Sequence, residues 1–249
     1  MRLLIVLLAM LVTGCAGSHG FDRAAMRSVL EHETVDSHNS AALSQPLSQP
    51  FRLALFFVDR DFPNVSMLHK ADWVTADKQA IVTSLAPLQS ERIVSEMFLL
   101  EDSTIKSYDA HKVRRAGQRY GADVVLIVDG VGAVDRFNNG SAWLYPTLVG
   151  AYLASGTESD ALFILEGGLW DVRSDRRYAS QSVEGAWKQI GPAMAVEDKD
   201  VLGHAKQAAI KEFGQRMADQ LRHLTVSRAS RGYLAATDVE SASGRSCRD

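Results

Sequence analysis

The sequence predicts a mixed α/β (α+β) fold: a single sheet with packed helices, a βαβαβ start, an antiparallel hairpin and a long C-terminal helix. Three observations carry that prediction. Apolar runs at 51–58 and 124–128 have strand length and are separated by stretches of helical spacing. Alternating segments at 162–172 and 178–187 flank the turn-forming Arg173-Ser174-Asp175-Arg176. Residues 201–224 then place Leu202, Ala205, Ala209, Phe213, Met217, Leu221 and Leu224 along one stripe, the mark of a helix with a single buried face.

The α/β domain is expected over residues 51–224. Arg52-Leu53-Ala54-Leu55-Phe56-Phe57-Val58 lacks polar alternation, which fits a strand covered on both faces. Asp59-Arg60-Asp61 closes it, and Asp61-Phe62-Pro63-Asn64 has turn chemistry. Residues 75–85 carry Ala76, Ala80, Ile81 and Leu85 at helical spacing. Thr75 is the expected N-cap, and Asp77 lies in the first turn, where a carboxylate meets the positive end of the helix. Pro87 helps to end that helix, and residues 92–100 alternate as a second strand. Ala110, Val113, Ala116 and Tyr120 share one face of a helix over 109–120. Gly121 is its expected stop, because glycine tolerates the left-handed backbone that ends helices. A third strand follows over 122–134, with Val124-Val125-Leu126-Ile127-Val128 as its buried part.

Beyond this strand the pattern changes. Residues 137–157 contain no charged side chain, and their centre holds Trp143, Tyr145 and Tyr152. Pro146 and Gly150, with an apolar centre shorter than a bilayer requires, argue against a membrane-spanning helix. Aromatic rings with a polar edge suit burial, a protein interface or a lipid boundary, so these three residues are the candidate interface. Residues 225–249 are rich in Ser, Arg, Ala and Gly and are expected to be a mobile, disordered tail.

The N-terminus carries the most specific signal. Arg2 precedes an unbroken apolar run from Leu3 to Val12, then Thr13-Gly14-Cys15, the layout of an export signal over residues 1–14. Val12-Thr13-Gly14-Cys15 resembles the bacterial lipobox: an aliphatic residue, a small residue, glycine or alanine, then cysteine. That resemblance implies diacylation of the Cys15 thiol, cleavage before Cys15 and acylation of the new amino terminus. It also implies transfer to the outer membrane, because Ala16 stands where retained lipoproteins carry aspartate. Residues 15–50 are expected to be a lipid-anchored, flexible tether. Residues 20–32 within it have a short helical pattern through Phe21, Ala25, Val29 and Leu30, and 34–50 are rich in Ser, Gln, Asn, Ala and Pro.

Composition sets further bounds. A charged fraction of 23% and a hydrophobic fraction of 46% are those of a chain that packs a core. The net charge of −3, with no basic stripe, gives no nucleic-acid footprint. The two cysteines are Cys15 and Cys247; acylation of the first leaves the second without a partner in its own chain.

The search for chemistry assigns no catalytic residue, metal or cofactor. Gly130-Val131-Gly132 follows a strand, but a third glycine is missing, so the pair is read as a bulge or bend and not a dinucleotide loop. His32 and His38, near Glu31, Glu33 and Asp36, lie in linker sequence that offers no rigid frame for a metal. Asp59, Asp61 and Asp129 fall at the ends of neighbouring predicted strands, as a carboxylate edge or, more simply, as caps and turn formers. Arg173, Arg176 and Arg177 read as a solvated hairpin tip.

The lipobox, Gly121-Ala122-Asp123-Val124-Val125-Leu126, the aromatic stretch from Trp143 to Leu153, Gly156-Thr157-Glu158 and Leu169-Trp170-Asp171-Val172-Arg173 together resemble the rhombotarget lipoproteins, found in bacteria that carry rhombosortase. More loosely, the element order is similar to envelope lipoproteins of the curli-secretion and TolB N-terminal type. The lipobox and the missing catalytic set lead to the expectation of a non-enzymatic outer-membrane lipoprotein that acts as a binding or assembly/export accessory module, with an envelope protein as partner and the membrane reached through its lipid. Two alternatives stand beside it: a self-assembling curli-type export component with the uncharged stretch as barrel strands, and an envelope hydrolase using Asp59, Asp61 and Asp129. One departure is plain. The tail Ser243-Gly244-Arg245-Ser246-Cys247-Arg248-Asp249 lacks the paired glycines, hydrophobic helix and basic cluster of a rhombosortase sorting signal.

Overall fold

A computed structural model describes residues 17–30, 47–59, 68–101, 105, 109–174 and 176–243. Its elements in chain order are α1 (Arg23–Leu30), β1 (Phe51–Phe57), β2 (Leu68–Lys70), α2 (Thr75–Leu85), α3 (Pro87–Ser90), β3 (Val94–Leu99), α4 (Ala110–Arg119) and β4 (Val124–Asn138). A 3-10 turn (Gly140–Leu144), α5 (Leu148–Leu153), β5 (Thr157–Asp171), β6 (Arg177–Gly191) and α6 (Asp198–Ser243) complete it. The strands form one mixed sheet in the order β3-β1-β4-β5-β6, with β2 added to β4.

The apolar runs decide the centre of that sheet. β1 pairs in parallel with β3 and with the first five residues of β4, as the predicted βαβαβ start requires. β4 and β5 pair antiparallel without a slip from Val124↔Asp171 to Asn138↔Thr157, and β6 continues the ladder. β4 therefore outruns β1, and β2 fills the vacated edge opposite Val131 to Ala133.

One face of the sheet is covered by α2, α3 and α6, whose Ile81, Leu85, Leu88, Ala205, Ala209, Phe213 and Met217 meet Leu53, Leu126, Phe163 and Leu165. The other face is covered in two pieces. Val113 and Ala116 of α4 pack on Ala54, Val125, Ile127 and Trp170, while Met26 and Leu30 of α1 pack on Val131, Ala133, Leu162 and Ile164.

Several expectations are corrected. Residues 17–30, assigned to the tether, are packed: Met26 and Leu30 are fully buried because the long strands expose an apolar patch that α1 covers. Backbone helix continues to Ser243 instead of ending at Leu224, since the segment offers no proline and only Gly232 against the helix. Thr75 is the first helical residue and not the cap; Asp77 accepts the Val74 N–H at 3.2 Å and closes that end itself. Gly130 and Gly132 mark no bulge. A Cβ at Gly130 would stand 2.7 Å from the Phe163 ring, so they are places where a cross-strand ring lies on bare backbone. Gly121 does end α4, with φ +75°, and Asp109 caps its start through the His111 and Lys112 N–H groups at 2.9 and 3.3 Å.

Helix and sheet backbones approach closely at Gly185 of β6, where a Cβ would stand 2.5 Å from the Ala209 nitrogen and nearer still to the Ala205 carbonyl oxygen. Gly185→Ala should therefore lower unfolding free energy by about 1–3 kcal/mol, as overpacking does, read from the urea midpoint. Gly203, helical and with nothing within 4 Å of its Cβ position, is the control. Its change to alanine should stabilise by about 0.5–1 kcal/mol.

Candidate functional site

The uncharged stretch folds as a tied knob on the end of the sheet where β4 passes to β5. Asn139 opens it: its Oδ1 accepts the Ser141 N–H at 2.9 Å, and its Nδ2 donates to the Ser155 carbonyl at 3.0 Å. Thr147 caps α5 by accepting the Gly150 N–H at 2.9 Å, and its hydroxyl donates to the Leu144 carbonyl at 2.7 Å. The Tyr145 hydroxyl bonds Thr157 Oγ1 at 2.8 Å, fastening the knob to β5. Gly156 admits the close pass of this turn, since a Cβ there would stand 2.6 Å from the Ala142 nitrogen and 2.8 Å from the Tyr145 ring.

The three candidate interface residues thus divide. Tyr145 is half-buried and structural, whereas Trp143 is 75% and Tyr152 59% exposed, so burial is not their role. Val149 at 67% and Leu153 at 75% join them, and Met194 at 66% lies at the same end of the sheet, in the turn after β6. Arg136 ties that turn to β4 by donating to the Ala193 and Val196 carbonyls at 2.9 and 3.0 Å. The stretch supplies helical turns and no barrel strand between β4 and β5.

The same end of β4 holds the N-terminal segment. Asp135, only 3% exposed, accepts at Oδ2 from the Ser18 hydroxyl at 2.7 Å and from the His19 and Gly20 N–H groups at 2.9 Å each. Burial pushes this carboxyl up. The hydrogen bonds from Ser18, Gly20 and His19 outweigh it, together with the nearby His19 charge, and hold it below the ordinary aspartate value. Just beyond, Arg23 and Arg27 pair with Glu184 of β6 at 3.0 and 2.6 Å. Sequence reasoning missed this clamp. Its one signal was an aspartate directly after the apolar run of the third strand, which a cap-or-turn reading also explains.

The other candidates scatter. Asp59 is exposed and pairs with Lys70 at 3.3 Å; Asp129 is buried inside β4 and accepts the Gly130 N–H at 2.7 Å; Asp61 lies outside the described residues. The strand-end edge fails because β4 runs on to Asn138, which places Asp129 mid-strand. Cys15, Cys247, His32 and His38 also lie outside the described residues. Among the described residues, no group of three His, Cys, Asp or Glu side chains is placed to hold a metal, and no helix is long and apolar enough to cross a membrane. Arg173 and Arg177 are exposed and Arg176 is half-buried, as a solvated hairpin tip requires, and the Arg177 guanidinium sits 5.5 Å from the Trp170 ring centroid. Between the α4 and α1 patches a cleft of about 200 Å³ is lined by Asp129, Glu166, Trp170, Arg177 and Ser182, with the Ser182 hydroxyl donating to Glu166 at 3.1 Å.

No family model matches the sequence, and no curated protein does. Among solved structures the chain is similar to a dodecameric PelC variant from Paraburkholderia phytofirmans, with 14% identity and TM-score 0.31 over 69% of this chain and 91% of that one. It is also similar to a neuraminyllactose-binding hemagglutinin homologue from Helicobacter pylori, with 12% identity and TM-score 0.37 over 75% and 92%. A protein from Xanthomonas campestris matches at 12% identity and TM-score 0.32 over 76% and 92%.

The Asp135 clamp gathers three of the hydrogen bonds that dock residues 18–30 onto one carboxylate, beside the Glu184 ion pairs and the buried Met26 and Leu30. Asp135→Asn should speed amide hydrogen exchange in α1 about tenfold or more while sparing the β4–β5 ladder, because charge-assisted bonds are each worth about 1.5–3 kcal/mol. The pH dependence has a fixed sign. A carboxyl lowered by folding stabilises the docked segment above its unfolded value and loses that contribution as pH falls through the lowered one, so acid should weaken the docking of residues 18–20, read as faster amide exchange there.

Proposed function

We propose that this protein is a non-enzymatic, acyl-anchored module of the bacterial outer membrane, related to the rhombotarget lipoproteins. Its sheet domain binds another envelope protein or supports export and surface assembly. The observation that carries the reading is the lipobox-like Val12-Thr13-Gly14-Cys15 standing three residues before a segment fastened to the domain at Asp135. An acyl group on Cys15 is then joined to folded structure with almost no intervening chain. Ala16 supports delivery to the outer membrane within the same resemblance.

The non-enzymatic part of the reading is supported by the fate of the acidic candidates. Asp59 is engaged by Lys70 and Asp129 by the Gly130 N–H, so neither resembles an acid–base pair facing a common substrate. Several acyl chains would hold such a protein firmly, where one chain alone binds only marginally.

Cys15→Ala should move the protein from the membrane fraction to the soluble fraction of the envelope, and from the detergent phase to the aqueous phase on Triton X-114 partitioning. Unchanged partitioning of that variant would falsify the anchor.

A further inference from the structure

Among the residues whose side-chain exposure is described, the five most exposed large apolar ones are Trp143, Leu153, Val149, Met194 and Tyr152, and all five lie at the β4–β5 end of the sheet. No charged side chain interrupts the knob that carries four of them. A scattered exposed leucine means little, but a cluster of this kind marks an interaction surface.

What covers this surface follows from the N-terminal clamp. Asp135, which holds Ser18 to Gly20, is three residues from Asn138, the last residue of β4 before the knob. At about 3.3 Å per strand residue that is roughly 10 Å along β4. Cys15 is three residues before Ser18, and a fully extended chain of that length also reaches at most about 10 Å. The acyl chains, if present, are therefore delivered to the end of the domain that carries the uncharged knob.

We infer that this end lies on the bilayer, with the Trp143 and Tyr152 rings and the Leu153, Val149 and Met194 side chains seated among lipid headgroups and upper acyl carbons. The inference rests on acylation at Cys15. Residue chemistry favours lipid over water here. Tryptophan and tyrosine place an apolar ring in the boundary and keep a polar edge at headgroup level; the knob itself carries no ion to press into it, and the charges beside it are paired, Arg136 with Asp198 and Lys188 with Glu158. The hydrogen bonds of Asn139, Tyr145 and Thr147 hold the knob as one piece, so it seats as a unit. The acyl chains supply the attachment; the knob sets orientation. The opposite end, where β5 turns to β6 beside Arg173 and Arg177, then points away from the membrane and is the end presented to partners.

The test uses the full-length protein, exported, purified in detergent and reconstituted into phosphatidylethanolamine–phosphatidylglycerol vesicles with or without acyl-brominated phospholipid. Bromine quenches tryptophan that enters the lipid, and the chain has four tryptophans. The wild-type protein should be quenched, Trp143→Phe should lose most of that quenching, and Trp187→Phe should keep it. Quenching that is equal in wild type and Trp143→Phe overturns the proposal. So does a Trp143 shielded from both brominated lipid and aqueous iodide, which would mean that a protein, such as a second copy, covers it.

Intact mass of the same preparations reports acylation separately. Acylated, vesicle-bound protein with unquenched Trp143 leaves the anchor standing and overturns the bilayer contact. Protein without acyl mass overturns the anchor, and quenching of Trp143 in vesicles then upholds or overturns the contact on its own.

Discussion

The structure depends on how closely α6 lies against the two antiparallel strands of the hairpin. Gly185 removes the side chain that would separate helix backbone from strand backbone, and Gly167 leaves room for the Phe213 ring, with which a Cβ there would collide. With those gaps filled from the helix side, Val201, Ala205, Ala209, Phe213, Met217 and Leu221 are all buried on one stripe. Burial of this kind is worth about 25 cal/mol per Å² of apolar surface, and small residues of the sheet face large ones of the helix, as close packing requires. At the seam between α6 and α2 a buried ion pair, Lys206 to Asp77 at 2.6 Å, adds direction more than strength, since two buried charges largely offset their own attraction by lost hydration. Lys206 also donates to the Asp72 carbonyl at 2.7 Å, which fixes the helix against the chain entering α2.

With one face fully occupied by α2, α3 and α6, the other inherits a problem of length. β4 and β5 have fifteen residues each, whereas β1 has seven. The lower half of the exposed face is served by α4, but the upper half, with Val131, Ala133, Leu162 and Ile164, lies beyond its reach. A chain that left these residues bare would carry an apolar patch on a long strand pair. The segment just after Cys15 covers them with Met26 and Leu30, and Asp135 supplies the polar fastening at the rim. The placement of the N-terminus is thus a consequence of hairpin length, and that length is set by an alternating pattern that continues through Ser159 and Asp160 on β5.

That history explains which features the sequence disclosed. Val124 to Val128, the Leu202-to-Leu224 stripe and the Asp109 and Gly121 helix ends are local patterns, each determined within one turn or one strand, and the sheet and its helices were legible from them. The packing of α1 was not, because its buried face is only Met26 and Leu30 and its partners lie a hundred residues away. The glycines misled for the same reason. Gly130 and Gly132 look like a bend in one strand, and only the cross-strand Phe163 and the distant Leu202 explain them. At the candidate site, composition singled out Trp143 and Tyr152, but their separation from the structural Tyr145 rests on a hydroxyl contact with Thr157 that no spacing rule foretells.

For the anchor proposed at Cys15, the difference between a tether and a clamp changes the physics of attachment. A flexible linker of about 35 residues has an end-to-end distance on the order of 30 Å, so its domain would sample every orientation above a membrane. A separation of three residues from Cys15 to a carboxylate-bound Ser18 allows about 10 Å and few orientations. A surface close to such an attachment point meets the membrane at high effective concentration, so contacts too weak to recruit the protein suffice to orient it. Charge has a corresponding distribution. The uncharged residues 137–157 occupy the end nearest the clamp, where the charges beside them are paired, Arg136 with Asp198 and Lys188 with Glu158, and Arg173, Arg176 and Arg177 gather at the other. A domain so built has one end suited to an apolar boundary and one suited to water, and the hairpin's length keeps the two about 50 Å apart by the rise of a fifteen-residue strand.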